Sequence, residues 1–180
     1  DNDGSLNGYG GQGSLYLEVK SRKARWQQTS QPGFAQQKRV YQDNENPFIT
    51  GTARYAQTEK KKDKAFVEWV PDIPETGEYA VYVSYQTLPN SVSDAKYLVF
   101  HNGGVTEFKV NQQIGGGTWV YLGTFTFDKG RNDYGMVVLS NESKQKGVVC
   151  ADAVRFGGGM GNIERGGETS GIPRYLEGAR

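Results

Sequence analysis

The sequence predicts an all-β domain, an antiparallel β-sandwich of jelly-roll type. Three observations carry this. Glycine is abundant, at 25 of 180 residues, and aromatic residues make up 12%. Runs of alternating aromatic and β-branched residues recur between glycine, proline and asparagine turns. Apolar residues do not recur at helical spacing along the chain.

The elements follow in chain order. Residues 1–13 are polar and glycine-rich, with Gly8-Tyr9-Gly10-Gly11 as loop, so residues 1–25 form a partly irregular entry. Within it Leu15-Tyr16-Leu17-Glu18-Val19 makes a first short strand. The basic patch Lys20, Arg22, Lys23 and Arg25 then runs into Trp26. Residues 27–38 are glutamine-rich, and Pro32-Gly33 reads as a turn. Asn46-Pro47 and Gly51 frame another irregular stretch, Arg54 to Thr58 is a strand, and residues 60–64 are a charged hairpin tip.

From residue 65 the pattern sharpens. Residues 65–70 form a strand stopped by Pro71. In Tyr79–Tyr85 the set Tyr79, Val81, Val83 and Tyr85 shares one face, and Ala80, Tyr82 and Ser84 the other. Residues 95–101 and 105–110 are joined by a hairpin turn at Asn102-Gly103-Gly104. Trp119 to Phe127 is the longest aromatic alternation, with Trp119, Tyr121, Phe125 and Phe127 expected on one face. Residues 136–140 and 148–156 complete the set. Eight or so strands of this kind form two packed antiparallel sheets. Residues 1–157 are the sandwich module. The composition then changes, and residues 158–180 are a Gly-rich tail leading towards a neighbouring domain.

Composition excludes much. The 21 Lys and Arg against 20 Asp and Glu leave a net charge of +1, with no broad field to hold nucleic acid. No run of 18 apolar residues is present, so no membrane insertion is expected. One histidine, His101, and one cysteine, Cys150, leave no internal disulfide and no multi-cysteine zinc site. No cofactor or metal is implied, and no catalytic residue is assigned.

Several residues are candidates for a role. His101 ends a strand before a turn and reads as a hydrogen-bonded structural histidine. Cys150, in an apolar strand, reads as a buried inert thiol. Asp152 lies between two alanines in a hydrophobic strand, so if buried it must be paired or hydrogen-bonded. Loop N–H groups, an arginine or a calcium ion would each serve. Trp69 and Trp119 lie in strong alternations and are expected in the core. Trp26, Tyr41 and Tyr55 fall in the less regular N-terminal third, near Arg25, Arg54 and many glutamines. Sugar-binding surfaces stack exposed rings on the C–H faces of pyranoses and place polar groups at the edge. Trp26, Tyr41, Tyr55 and Arg54 are therefore the candidate ligand-binding residues. The run Gly8 to Gly13 lacks the flanking strand and helix of a dinucleotide site, and Gly115-Gly116-Gly117 is followed by Thr118, so neither is a phosphate loop.

A further reading comes from the order of short segments. Trp69-Val70-Pro71 is followed by Gly77-Glu78-Tyr79-Ala80-Val81-Tyr82-Val83-Ser84-Tyr85 and by Ala95-Lys96-Tyr97-Leu98-Val99-Phe100-His101-Asn102-Gly103-Gly104. Val110-Asn111-Gln112, the run Trp119 to Phe127, and Ala151-Asp152-Ala153-Val154-Arg155-Phe156 come next. This order, over roughly residues 26–156, resembles the golvesin C-terminal-like domain, also called the xanthan-lyase-type carbohydrate-binding-like domain. The tail, from Gly157 to Arg180, is similar to Bacteroidetes proteins labelled xanthan lyase or N-acetylmuramoyl-L-alanine amidase. The resemblance implies a non-catalytic β-sandwich appended to a secreted, periplasmic or cell-surface bacterial enzyme. Its partners would be a polysaccharide or peptidoglycan glycan and a neighbouring catalytic domain of the same chain. The zinc motifs of an amidase need histidines that these 180 residues lack, so such a metal site would lie outside them. Two other readings stay open: a structural interdomain scaffold without its own ligand, and a contributor to a lyase or amidase active-site cleft.

Overall fold

The computed structural model describes residues 1–2, 14–36, 42–60 and 63–157. The proposed tail 158–180, the glycine run at residues 8–13 and Tyr41 lie outside the described residues. The strands are β1 Leu15–Val19, β2 Gln27–Gly33, β3 Gly51–Gln57, β4 Phe66–Val70, β5 Gly77–Ser84, β6 Ala95–His101, β7 Gly104–Val110, β8 Val120–Phe127, β9 Met136–Ser140, β10 Val148–Ala151 and β11 Ala153–Gly157. A single turn of 3-10 helix, Pro47–Ile49, precedes β3 and is capped by the Asn46 side chain, which accepts from the Phe48 N–H. Among the described residues no helix is long and apolar enough to cross a membrane.

Among the described residues three sheets form, and every pairing of these strands is antiparallel. One is five-stranded in the order β1-β4-β9-β6-β7. Two are three-stranded, in the orders β10-β3-β2 and β11-β5-β8. Their inner faces share one hydrophobic core. Val67 and Trp69 of β4, Tyr97 and Val99 of β6 and Leu139 of β9 meet Tyr79, Val81 and Val83 of β5, Phe127 of β8 and Val149 of β10. This is the expected sandwich, built by the period-two alternation of each strand.

Four local departures from simple alternation matter for the site. The strand expected over residues 148–156 is broken at Asp152. Its buried carboxylate accepts the Phe34 N–H, at 3.1 Å to Oδ1 and 2.9 Å to Oδ2, and its carbonyl accepts the Asn2 N–H at 3.1 Å. A loop N–H group is thus one of the partners that the sequence offered for this residue. Residues 27–33, expected to turn at Pro32-Gly33, form a strand instead. Proline survives there because β2 is a sheet edge and its register shifts between Gln28 and Pro32.

The third departure is in β8. Val81 pairs with Gly123 but Tyr82 pairs with Tyr121, so Leu122 is an extra residue and the strand bulges. A bulge exchanges the two faces beyond it. Val120 and Leu122 pack on the core before it, and Phe125 and Phe127 after it. The expectation that Trp119 and Tyr121 share a face with Phe125 and Phe127 is therefore corrected. The Phe125 ring lies over Gly123, where an added Cβ would stand 3.0 Å from it. Fourth, β5 is buried on both faces: Ala80, Tyr82 and Ser84 are as hidden as the core-facing set.

Candidate functional site

A cleft of about 400 Å³ opens where the β1–β4 end of the five-stranded sheet stands opposite β11, an edge strand of its own sheet. Tyr16 and Trp69 form one wall, and Val154, Arg155 and Phe156 another, with Tyr79 beside them. The segment Pro71–Pro74, Phe34, Gln36 and Trp119 complete the lining. The prolines that end β4 turn the chain along the cleft and remove two backbone donors from it.

Aromatic contacts fix the walls. Tyr16 packs on Trp69 with ring centroids 5.8 Å apart. The Trp119 ring meets Phe34 at 4.9 Å and Phe48 at 5.5 Å, both edge-on. Phe34 is held in place by the Asp152 carboxylate, so a bond between residues 118 positions apart sets one wall. Arg155 lies over the Tyr82 ring, 5.5 Å from its centroid, and carries a cation to the cleft. Asp72 adds a carboxylate on the opposite side, its N–H donating to Ser14 Oγ at 3.2 Å.

The cleft tyrosines are held as neutral phenols. Burial, with the hydrogen bond to Glu18, pushes the Tyr16 hydroxyl far above its ordinary value. Burial also raises Tyr79, whose hydroxyl donates to the Glu75 carbonyl at 2.6 Å. A general base needs a pKa near the working pH, so both shifts run against base catalysis. Among the described residues no group of three His, Cys, Asp or Glu is placed to hold a metal ion.

The predicted ligand-binding residues are not brought to this cleft. Trp26, expected as an exposed ring, is 6% exposed and belongs to the core, which corrects that reading. Its burial follows from the alternation of the segment, in which Ala24 and Trp26 both point inward. Arg54 donates to both carboxylate oxygens of Glu18, at 2.7 and 2.9 Å, and to the Trp26 carbonyl at 3.1 Å. Glu18 also accepts from the Tyr16 hydroxyl at 2.7 Å, which links Arg54 to a residue of the cleft. Tyr55 is half-buried in the middle strand of the β10-β3-β2 sheet, and Tyr41 lies outside the described residues.

Trp69 is in the core as expected, at 3% exposed, with one side of its ring on the cleft. Trp119, also expected in the core, is half-buried and lines the cleft, because the bulge in β8 turns it outward. Gly123 inside a strand pattern is the sequence signal for that bulge. His101 is structural in its contacts: Gly103 N–H donates to Nδ1 at 3.1 Å, which leaves the Nε2 proton to Thr106 Oγ1 at 2.9 Å. Its ring packs on Phe125 at 4.6 Å. Cys150 is fully buried, and burial pushes its thiol up to about 12, which removes nucleophilic character at neutral pH.

Comparison with known proteins agrees with this fold. The model of the Golvesin C-terminal domain family matches residues 42–158. A xanthan lyase of Bacillus sp. (strain GL1) is 33% identical over 114 residues, which is 59% of this chain and 12% of that protein. The solved structure of a Paenibacillus xanthan lyase superposes with a TM-score of 0.54 at 25% identity, covering 79% of this chain and 13% of that one. The chain thus spans about an eighth of the length of these relatives. With the family model matching well over half of its residues, on the strands that build both faces of the sandwich, the chain belongs to the Golvesin C-terminal domain family.

Proposed function

We propose that this chain is a non-catalytic carbohydrate-binding module of a larger, secreted polysaccharide- or cell-wall-degrading enzyme, and that the cleft between β1 and β11 is its binding site. The observation that carries this reading is the lining. Rings of Tyr16 and Trp119 offer apolar surface, with Phe34 buried behind Trp119, and the polar side chain of Asp72 lines the same cleft. That is the chemistry of a pyranose ring, whose C–H face is apolar and whose rim is hydroxylated. Similarity to two xanthan lyases supports a polysaccharide setting. Tethered to a catalytic domain, even a weak module raises the local concentration of its polymer.

The test is a glycan array and pull-down with the 180-residue chain, including xanthan and peptidoglycan. Saturable binding that disappears in Trp119→Ala and survives Tyr55→Ala is the expected result. Failure to retain any glycan overturns the reading, and binding indifferent to Trp119→Ala overturns the site.

A second reading is favoured by one observation. On the edge strand β1, Leu15, Leu17 and Val19 are 42%, 44% and 38% exposed, an apolar stripe on the side away from Tyr16. An interdomain scaffold would bury such a stripe against the adjoining domain. In the longer parent protein, Leu17→Lys would then loosen the contact between domains and leave glycan retention by the module intact.

A further inference from the structure

We propose that the outer face of the five-stranded sheet, the side turned away from the core, docks an apolar face of an adjoining domain in the same longer polypeptide. The proposal rests on the module reading above and does not depend on what the cleft binds. It extends the exposed stripe of β1 across all five strands.

The register assembles this face row by row. Val67 and Trp69 of β4, Tyr97 and Val99 of β6, and Val137 and Leu139 of β9 point into the core, so their chain neighbours point outward. One outward row reads Leu17, Glu68, Val138, Leu98 and Glu107 across β1-β4-β9-β6-β7. A second begins with Val19 and Phe66 and passes to Ser140, Lys96 and Lys109. Beyond the first row, Leu15 is opposite Val70, and Phe100 stands between Met136 and Val105. None of these outward apolar side chains shares the core.

The face is open at both margins. Leu15, Leu17 and Val19 are about as exposed as half-covered side chains can be, and Val105 at the far edge is 54% exposed. Phe66, Met136, Leu98 and Phe100 between them are half-buried. A sheet with one face in water carries polar side chains on that face. Here Lys96, Glu107 and Lys109 gather at the β6-β7 corner, with Lys96 paired to Glu142 at 3.0 Å, and the rest is mostly apolar. An apolar centre with a polar rim is the anatomy of an interface.

Area and length select the occupant. Five strands and three outward positions on each span about 20 Å by 20 Å, or about 400 Å². A stable dimer buries about 800 Å² on each partner, roughly twice this face. Contacts between domains of one chain bury about 600–1,500 Å² in total, so about 400 Å² per side is within their range. Tethering supplies the effective concentration that a small surface needs. This chain spans 12% and 13% of the two xanthan lyases it resembles, so in proteins of that length most of the polypeptide lies beside such a module.

The experiment is maleimide labelling of introduced thiols, read by peptide mass spectrometry, in the 180-residue chain and in the longer native polypeptide. Cys150 is the one cysteine of this chain and is buried, so an introduced thiol reports its own exposure. Val105→Cys and Leu17→Cys should label about tenfold more slowly in the longer polypeptide, as when the docked form outnumbers the open one by about ten to one. Ile49→Cys, 61% exposed on the turn before β3, should label alike in both. Adding Val105→Lys to the longer polypeptide should return Leu17→Cys to its rate in the isolated chain, because one partner covers margins about 19 Å apart. Equal rates in the two proteins overturn the docking surface and leave the cleft reading standing. A native polypeptide with no second domain overturns the module reading and this proposal together. In sedimentation velocity the isolated chain is expected to be a monomer. A dimer that Val105→Lys dissolves overturns the tethered occupant in favour of a second copy.

Discussion

Gln112 and Cys150, 38 positions apart, exchange a pair of hydrogen bonds through one side chain. Gln112 Oε1 accepts the Cys150 N–H at 2.8 Å, and Gln112 Nε2 donates to the Cys150 carbonyl at 2.9 Å. The primary amide stands in for a strand residue along β10, and Nε2 also reaches the Tyr97 hydroxyl at 3.1 Å. All of this is sealed from water, with Gln112 fully buried. Gln112→Met keeps the volume and leaves a buried N–H and a buried carbonyl unpaired. Each such group costs about 1–3 kcal/mol, so urea denaturation should show a loss of about 2–6 kcal/mol at unchanged m.

Trp26 and Trp119 exchange the roles that their sequence context assigns them. Trp26→Ala empties a core position and should cost about 3–5 kcal/mol. Its glycan affinity, measured below the unfolding transition, should remain that of the parent chain. Trp119→Ala, at a half-buried ring, should cost less stability and remove binding. Paired denaturation and binding curves check both.

The Asp152 carboxylate anchors Phe34 and with it one wall of the cleft. Asp152→Ala deprives the Phe34 amide of its acceptor, and a hydrogen bond to a charged group is worth about 1.5–3 kcal/mol. Hydrogen exchange at the Phe34 amide should accelerate. Glycan affinity should fall with it, because Trp119 loses the edge contact that Phe34 provides. Unchanged exchange at Phe34 would sink this account.

Stability should fall at both ends of the pH scale, for opposite reasons. Burial holds the Cys150 thiol at about 12 against its ordinary 9.0. Above pH 9 the unfolded chain therefore loses a proton that the folded chain keeps, and stability declines from there to about pH 12. In Cys150→Ala that alkaline decline should be shallower. For Glu18, burial alone would raise the carboxyl, but the hydrogen bonds from Arg54 and Tyr16 outweigh it and hold the group below its ordinary 4.5. Hydrogen bonds from Lys96 and Lys64 lower Glu142 against its weaker burial. Their contributions are complete above about pH 4.5 and are lost as pH falls through the lowered values. Glu18→Gln should flatten part of the acid limb in a denaturation series against pH.

Much of the fold was legible because alternation is local. The residues 15–19, 95–101 and 136–140 form the expected strands, and Asn102-Gly103 turns the expected hairpin. Tyr79, Val81, Val83 and Tyr85 face the core as their spacing requires. Asp152 was marked by the mismatch between a carboxylate and its apolar neighbours, and that mismatch is resolved by a buried acceptor role. The site was less legible. One alternation extended through Gly123 points Trp119 inward, and the polar neighbours of Trp26 point it outward.

By itself the sequence determined that the chain is all-β, where most strands start and stop, and which side chains share a face in strands without a bulge. Those properties depend on neighbours two residues apart. The tertiary structure alone decided which edges are left open, how β8 shifts its register, and that Phe34 and Asp152 meet. These depend on segments far apart in sequence whose packing is set by the whole core. The cleft between β1 and β11 draws on residues from 1 to 156, so no window of the chain contains it.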